Sequence, residues 1–91
     1  MAKTGTVLFV NRSRMDIAAC LLKKATERTR KTRLIYGCNL SVGQFNTYAQ
    51  FLIRKGLLRR ERAQDTKLYF VTTAKGLEFV AEYAKLRVLL R

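Results

Sequence analysis

The chain has 91 residues, enough for one small domain, and its 19 Lys and Arg against six Asp and Glu give a formal net charge of +13. An apolar fraction of 48% excludes a disordered basic tail. No histidine and only two cysteines exclude an ordinary zinc site, and no apolar run is long enough to span a membrane. Because so much positive charge repels itself, a polyanionic partner is expected, with nucleic acid ahead of anionic membranes or acidic proteins.

The residue types that catalysis needs are scarce. A general base would have to be one of the six carboxylates, and no two of them are spaced as an acid–base pair. A glycine-rich phosphate-binding loop is also missing. We therefore expect no enzyme, and no cofactor, metal, membrane partner or small-molecule ligand. Because the N-terminus carries no secretion signal, we expect a cytoplasmic, nucleoid-associated protein.

The two cysteines have no metal-binding spacing. Cys20 and Cys38 are too far apart for a Cys-x-x-Cys pair. Each is more typical of a small buried apolar residue than of a reactive thiol. A disulfide bridge between them stays open as an alternative.

The first predicted elements are a short strand and a helix. Residues 6–10 (TVLFV) are β-branched and aromatic, which predicts a strand within an N-terminal arm of residues 1–12. Ser13 and Asp16 have capping-box spacing and predict a helix over residues 14–27. Helical periodicity places one set of apolar residues on its buried side: Ile17, Ala18, Leu21, Leu22 and Ala25.

A basic stretch and a short helix follow. Residues 26–33 (TERTRKTR) predict a loop or a frayed helix end. Thr32 is expected to cap a short helix that ends within residues 37–39, where Gly and Asn tolerate the left-handed conformation. The side chains expected to point inward from this helix are Leu34, Ile35 and Cys38.

The best-defined element is the next helix. Ser41 and Gln44 form a capping box and Gly56 is a stop signal, which predicts a helix over residues 42–55. The apolar face is expected to comprise Val42, Phe45, Tyr48, Ala49, Leu52 and Ile53. The opposite, polar face is expected to comprise Gly43, Asn46, Thr47, Gln50 and Arg54. Phe51 lies off the apolar face and is expected to pack against a neighbouring element or subunit.

A short helix, a tight turn and a longer helix predict a helix-turn-helix unit. Residues 57–62 and 67–72 are predicted as two strands joined by a polar tip at residues 63–66. A hairpin directly after the second helix is typical of a winged helix. The expected fold is therefore mostly α with a small β-hairpin, in a single domain with its winged-helix core at residues 13–73.

The last helix has an unusual pattern. Thr73 is expected to cap a helix over residues 74–91. One apolar stripe, expected to cover the domain itself, comprises Leu77, Val80, Ala81, Ala84 and Val88. A second stripe with coiled-coil spacing predicts a homodimer interface at Phe79, Tyr83, Leu86 and Leu90. The alternative is that Phe79 and Tyr83 fold back onto the N-terminal strand.

Three sequence blocks carry a family resemblance that spans residues 16–86. They are KTRLIYGCNLS at residues 31–41, YAQFLIRKGLL at residues 48–58 and YFVTTAKGLEFV at residues 69–80. The chain resembles the archaeal winged-helix DNA-binding proteins, small basic proteins that dimerise through a long antiparallel C-terminal helix. Two features depart from that family. Residues 7–10 are not part of its core, which leaves a virus-encoded or divergent member open, and the short wing tip argues against deep minor-groove insertion.

The resemblance and the charge pattern together predict a site on duplex DNA. Asn and Gln pair with adenine and Arg with guanine in the major groove. The residues expected to contact bases are therefore Gln44, Asn46, Thr47, Gln50 and Arg54. The residues expected to contact the DNA backbone are Arg28, Arg30, Lys31, Thr32, Arg33, Ser41, Arg59, Arg60, Arg62 and Lys67.

The expected function is double-stranded DNA binding by a dimeric transcription regulator, with the helix at residues 42–55 in the major groove. A weakly sequence-selective archaeal chromatin or architectural protein is the alternative within that class. A protein–protein interaction module and an RNA-binding module, both on the winged-helix scaffold, are the alternatives from other classes.

Overall fold

A computed structural model describes residues 13–90, so the strand predicted at residues 6–10 lies outside the described residues. Within these residues the chain forms four helices and a small sheet, which confirms the predicted winged-helix fold. The elements in chain order are α1 (Arg14–Lys24), β1 (Thr29–Arg30), α2 (Lys31–Gly37), α3 (Val42–Arg54), β2 (Leu58–Arg62), β3 (Leu68–Thr72) and α4 (Ala74–Leu89).

Helix α1 begins as the sequence predicts but ends earlier. The Asp16 amide donates to Ser13 Oγ at 3.0 Å and the Ser13 amide donates to Asp16 Oδ2 at 3.2 Å, which completes the capping box. The apolar residues predicted to be buried on this helix are all buried. The helix ends at Lys24 rather than at residue 27. The carbonyl of Ala25 accepts a hydrogen bond from the Thr72 amide, so the chain turns towards the sheet at this point.

The sheet within residues 13–90 has three antiparallel strands in the order β1-β3-β2, one more than the two strands of the predicted hairpin. Thr29 pairs with Phe70 and Arg30 pairs with Tyr69, so part of the predicted basic loop is an edge strand. Arg30 is consequently the residue before α2, and its side chain makes no capping hydrogen bond. The prediction that Thr32 caps this helix is wrong, because Thr32 lies inside it.

One face of the sheet completes the core formed by α1, α2 and α3. Phe70 meets Phe45 of α3 edge to face, with ring centroids 5.3 Å apart. The Thr72 hydroxyl donates to the Leu22 carbonyl at 2.6 Å and thereby satisfies a buried polar group. Burial of a side chain as large as Phe45 contributes on the order of 2–3 kcal/mol, so these contacts fix the orientation of α3 against the sheet.

The helix-turn-helix unit has the turn geometry that its sequence predicts. Asn39 adopts a left-handed conformation with φ of 55°, and the Leu40 amide donates back to the Ile35 carbonyl at 2.9 Å. Helix α3 then begins with the predicted capping box between Ser41 and Gln44. Gly56, with φ of 77°, ends it as expected.

A disulfide joins Cys20 in α1 to Cys38 at the end of α2. The alternative that the sequence left open is therefore the one observed. Cys38 is also buried, with 1% of its surface exposed, whereas Cys20 is partly exposed. The bond ties the helix-turn-helix unit to α1 immediately before the turn that leads into α3.

Helix α4 begins at the predicted Thr73 cap, whose hydroxyl accepts from the Gly76 amide at 3.1 Å. Gly76 packs directly against the Leu57 carbonyl and the Thr72 side chain, where no β-carbon would fit. Farther along, Phe79 and Val80 pack on the core. The prediction that the Leu77 stripe covers the domain is correct only in part, because Leu77 and Val88 are 44% and 60% exposed. Because α4 packs against α1, the side of α4 that faces the core contains both Phe79 and Val80.

Candidate nucleic-acid interface

The outer side of α3 carries a continuous exposed stripe along the whole helix. Its members are spaced four residues apart: Val42, Asn46, Gln50 and Arg54. Val42 was predicted on the buried face, and that prediction is wrong, since 56% of its surface is exposed. As the first residue of α3, Val42 lies beyond the part of the helix that Phe45 and Ala49 anchor in the core.

The predicted base-contacting residues differ in what their side chains already bind. The amide oxygen of Gln44 accepts a hydrogen bond from the Ser41 backbone at 2.9 Å, and the Thr47 hydroxyl donates to the Gly43 carbonyl at 3.1 Å. Asn46, Gln50 and Arg54 are exposed and make no hydrogen bond to any residue between 13 and 90. These three side chains therefore have their full hydrogen-bonding capacity available for a ligand.

The chain around α3 contains no negative side chain. Residues 28–60 include no Asp or Glu. Their cations are Arg28, Arg30, Lys31, Arg33, Arg54, Lys55, Arg59 and Arg60. This segment covers β1, α2, α3 and the first three residues of β2. The helix-turn-helix unit is therefore positive throughout, with no carboxylate of its own to repel a phosphate group.

Lys31 lies beside the N-terminal half of α3, and Arg60 lies on the sheet face that packs against this helix. The Lys31 ammonium is 5.7 Å from the centroid of the Phe45 ring. Arg60 pairs with Phe70 across the ladder, on the sheet face that packs against Phe45. Of these two predicted backbone-contacting cations, Lys31 is therefore near Phe45 in the first half of α3, and Arg60 is on the sheet face that contacts the same ring.

A second group of cations lies on the opposite face of the sheet. Glu61 Oε1 pairs with Arg28 at 3.3 Å and its Oε2 pairs with Arg59 at 3.0 Å. The guanidinium carbons of Arg28 and Arg30 lie 4.7 and 5.8 Å from the Tyr69 ring centroid. The hydrogen bond from Arg59, followed by that from Arg28, lowers the pKa of Glu61 below its usual value. Glu61 therefore holds two of the predicted DNA-contacting arginines.

The tip of the hairpin is a closed turn. Arg62 donates to the Thr66 carbonyl at 2.7 Å, and the Lys67 amide donates to Asp65 Oδ1 at 3.0 Å. The Tyr69 hydroxyl donates to the other Asp65 oxygen at 3.1 Å. The hydrogen bonds from the Lys67 backbone and then from Tyr69 lower the pKa of Asp65. Arg62 thus contributes to the turn itself, while the Lys67 side chain is exposed.

The basic run at residues 28–33 is divided among three surfaces. Arg28 and Arg30 lie on the outer sheet face and Lys31 lies beside α3. Thr32 and Arg33 line an open groove that α1 and α4 bound on its other sides. The sequence could not separate these positions, because the division follows from the pairing of β1 with β3.

Two cations outside the predicted DNA-contacting set lie at the C-terminal end of α3. The Lys75 ammonium donates to the Lys55 carbonyl at 2.9 Å, and the Lys55 ammonium is 5.7 Å from the Phe51 ring centroid. Phe51 itself is 43% exposed. The sequence could have indicated Lys55, because it directly follows Arg54. Lys75 comes close to the C-terminal end of α3 only in the folded domain.

The predicted dimer residues fall into two pairs. The rings of Phe79 and Tyr83 stack with centroids 6.2 Å apart, and both residues are partly buried within the domain. Leu86 and Leu90 are exposed, Leu90 to 84%. Leu86 and Leu90, together with Met15 and Tyr83, line a shallow depression beside the start of α1. Neither a membrane-spanning helix nor a cluster of three metal-ligating side chains occurs among residues 13–90.

Comparisons with known proteins agree with this architecture. A family model described as winged helix-turn-helix matches residues 11–91. Sso10a-2, a DNA-binding protein from Sulfolobus solfataricus, is 26% identical, with a TM-score of 0.74 over 87% of this chain and 85% of that one. F93 from STIV, a winged-helix DNA-binding protein, is 24% identical, with a TM-score of 0.67 over 84% of this chain and 90% of that one.

A MarR-family transcriptional regulator from Silicibacter pomeroyi is 16% identical, with a TM-score of 0.67 over 90% of this chain and 57% of that one. The likeness to F93 and to this regulator concerns the fold alone. No curated protein matches the chain by sequence.

Proposed function

Because the chain belongs to the winged helix-turn-helix family, we propose that it is a homodimeric protein that binds double-stranded DNA through α3. The observation that carries this proposal is the exposed face of α3, which lies within a segment that holds eight cations and no carboxylate. Sso10a-2, which has the same fold at 26% identity, is itself a DNA-binding protein.

Helix α3 has the dimensions and side chains for the major groove. An α-helix with its side chains is about 10–12 Å wide, close to the width of about 12 Å of the major groove of B-DNA. Asn46 and Gln50 would then face the base edges. The bulky side chains that fix the helix in the domain, Phe45 and Leu52, are buried on its other side and would not compete for this surface.

Cations at both ends of α3 would contact the phosphates that border the groove. Lys31 lies beside its N-terminal half, Arg60 lies on the sheet face that packs against it, and Lys55 and Lys75 lie at its C-terminal end. The amide groups at the start of α3, next to Ser41, would add a favourable dipole towards a phosphate. The hairpin with Arg59, Arg62 and Lys67 would contact the backbone of the flanking DNA.

Dimerisation would proceed through the C-terminal half of α4. Leu86, Val88 and Leu89 are exposed there, as is Leu90 directly after the helix, an unusual concentration of apolar side chains on a small domain. Pairing of two such helices would bury them and place two copies of α3 on one side of the duplex. Light scattering should give about twice the mass of the 10.5 kDa chain. Monomers at tens of micromolar would contradict this part of the proposal.

Two roles are compatible with duplex binding. A transcription regulator is favoured by the uncommitted polar side chains of α3, because they can distinguish bases. A chromatin or architectural protein is favoured by the net charge of +13, which supports sequence-independent affinity. A selection from a random DNA pool distinguishes them, since a regulator enriches a motif and an architectural protein does not.

The experiment that tests the proposed function is a titration of labelled duplex DNA in moderate salt, with structured RNA as competitor. We expect affinity for the duplex that weakens steeply as salt rises, and weak competition by RNA. Preferential binding to RNA would favour an RNA-binding module instead. No measurable affinity for either would favour a protein–protein interaction module.

A further inference from the structure

The exposed stripe of α3 has a chemical composition that selects among base pairs. Resting on the proposed function, we infer that this protein prefers half-sites centred on A·T pairs, with Asn46 and Gln50 as the residues that contact adenine and Val42 as a contact to a thymine methyl group. These three residues are adjacent members of one stripe in the N-terminal and central turns of α3.

The hydrogen-bonding state of α3 leaves only two amide side chains for this role. Gln44 is engaged by its own helix cap and Thr47 by the Gly43 carbonyl, whereas Asn46 and Gln50 bind nothing among residues 13–90. A carboxamide matches adenine because it can donate to N7 and accept from the N6 amino group at once. Cytosine is contacted by carboxylates, and α3 has none.

The spacing of the two amides suits contacts to neighbouring pairs. Four residues of α-helix rise about 6 Å. Two base-pair steps rise about 6.8 Å at about 3.4 Å each. Asn46 and Gln50 would therefore face adenines about two steps apart. Val42 lies one further turn towards the N-terminus, and its exposed methyl groups match the methyl group that only thymine carries in the major groove.

The side chain of α3 that is suited to guanine lies at the C-terminal end of the helix, away from the proposed base contacts. Arg54 is the last residue of α3, about 12 Å beyond Asn46 along the helix axis. Recognition helices of this class contact base edges mainly with their N-terminal residues. Arg54 also lies next to Lys55 and Lys75, where a phosphate is the natural partner. The centre of the proposed interface therefore has no side chain that is suited to contact guanine.

The first experiment is a selection of duplexes from a random pool by the full-length protein, followed by affinity measurements on the enriched sequence. We expect a motif centred on A·T pairs. Exchanging a contacted A·T pair for G·C should weaken binding roughly 5- to 150-fold. An enriched motif centred on G·C pairs, or duplex binding without any motif, would overturn the inference and leave the proposed function intact. No duplex binding at all would overturn both.

The second experiment separates base contacts from DNA shape. Narrow A·T-rich minor grooves attract arginines without any major-groove contact. Replacing the contacted adenines with 7-deazaadenine removes only the N7 acceptor in the major groove. We expect the preference to fall about tenfold per contacted adenine, and replacing thymine with uracil should weaken the contact to Val42. An A·T preference that 7-deazaadenine leaves unchanged would contradict the inference.

Variants of the stripe complete the test. Asn46→Ala and Gln50→Ala should each reduce the A·T preference, because each variant lacks an amide group that contacts adenine. Both side chains are exposed, so the fold should stay intact, as circular dichroism can verify. The matched control is Arg54→Gln on the same face, which should weaken binding to all sequences about equally. If Arg54→Gln removed the sequence preference while Asn46→Ala and Gln50→Ala kept it, the assignment would be wrong.

Discussion

Removal of the Cys20–Cys38 disulfide is the perturbation whose cost follows most directly from the structure. The two cysteines are separated by 18 residues in the chain. Closing a loop of that length in the unfolded state lowers its entropy by an amount that corresponds to about 3 kcal/mol at 25 °C. For a domain of this size, each kcal/mol shifts the melting temperature by about 4–8 °C, so the expected loss is about 12–24 °C.

Cys20→Ala is the variant of choice because Cys20 is only partly buried, whereas Cys38 is enclosed by the core. Replacing Cys38 would add the cost of a cavity to the effect of the lost bond. Wild type and Cys20→Ala should be unfolded by heat and by urea, each with and without a reductant. One protein concentration should be used throughout, because the proposed dimer would gain stability with concentration.

We expect reduced wild type to unfold at the same temperature and urea concentration as Cys20→Ala. The reductant should not change the unfolding of the variant. The comparison within each protein controls for the reductant itself, and the comparison of the two reduced proteins isolates the effect of the side chain. If oxidised wild type and Cys20→Ala differed by less than about 0.5 kcal/mol, the loop-closure reasoning would be refuted.

The further predictions concern three single residues. Ser41→Ala should cost about 1 kcal/mol in urea unfolding because α3 loses its cap, and an unchanged midpoint would show that the cap is not used. Gly76→Ala should cost roughly 1–3 kcal/mol because its β-carbon overlaps the Leu57 carbonyl; a more stable variant would contradict that packing. Glu61→Gln should bind duplex DNA more tightly, because Arg28 and Arg59 lose their carboxylate partner. Folding lowers the pKa of Glu61, so its ion pairs stabilise the domain at neutral pH and are lost as pH falls through that lowered pKa. Lowering the pH should therefore destabilise wild type more than Glu61→Gln. Equal loss of stability in the two proteins would refute the stabilising role of the Glu61 ion pairs.

The features that the sequence predicts correctly depend on residues close together in the chain. The capping boxes at Ser13 and Ser41 need partners only three residues away, and Gly56 acts through its own backbone. Periodicity was enough to place the buried side of α1 because that helix lies against the core along its length. These local rules determine where the helices begin and which fold they can form.

The errors arise where distant pairing decides the outcome. Strand β1 exists only because Thr29 and Arg30 pair with Phe70 and Tyr69, some forty residues away in the chain. That pairing shifts the start of α2 away from Thr32 and divides the basic run among three surfaces. The side of α4 that covers the domain is likewise set by its contact with α1, which the two apolar stripes alone could not decide.

The central claim is that the cations beside α3 bind duplex DNA, and the salt dependence of binding tests it most directly. Lys31, Arg54 and Arg60 should be replaced by glutamine together, with Lys23, Lys24 and Arg87, which line the groove between α1 and α4, as a control of equal charge. If each of the three side chains neutralises one phosphate, the logarithmic salt slope should fall by about 2.7 per protomer in the α3 variant. The control variant should keep a slope close to that of wild type. Equal slopes for wild type and the α3 variant, or a larger loss in the control, would contradict the account.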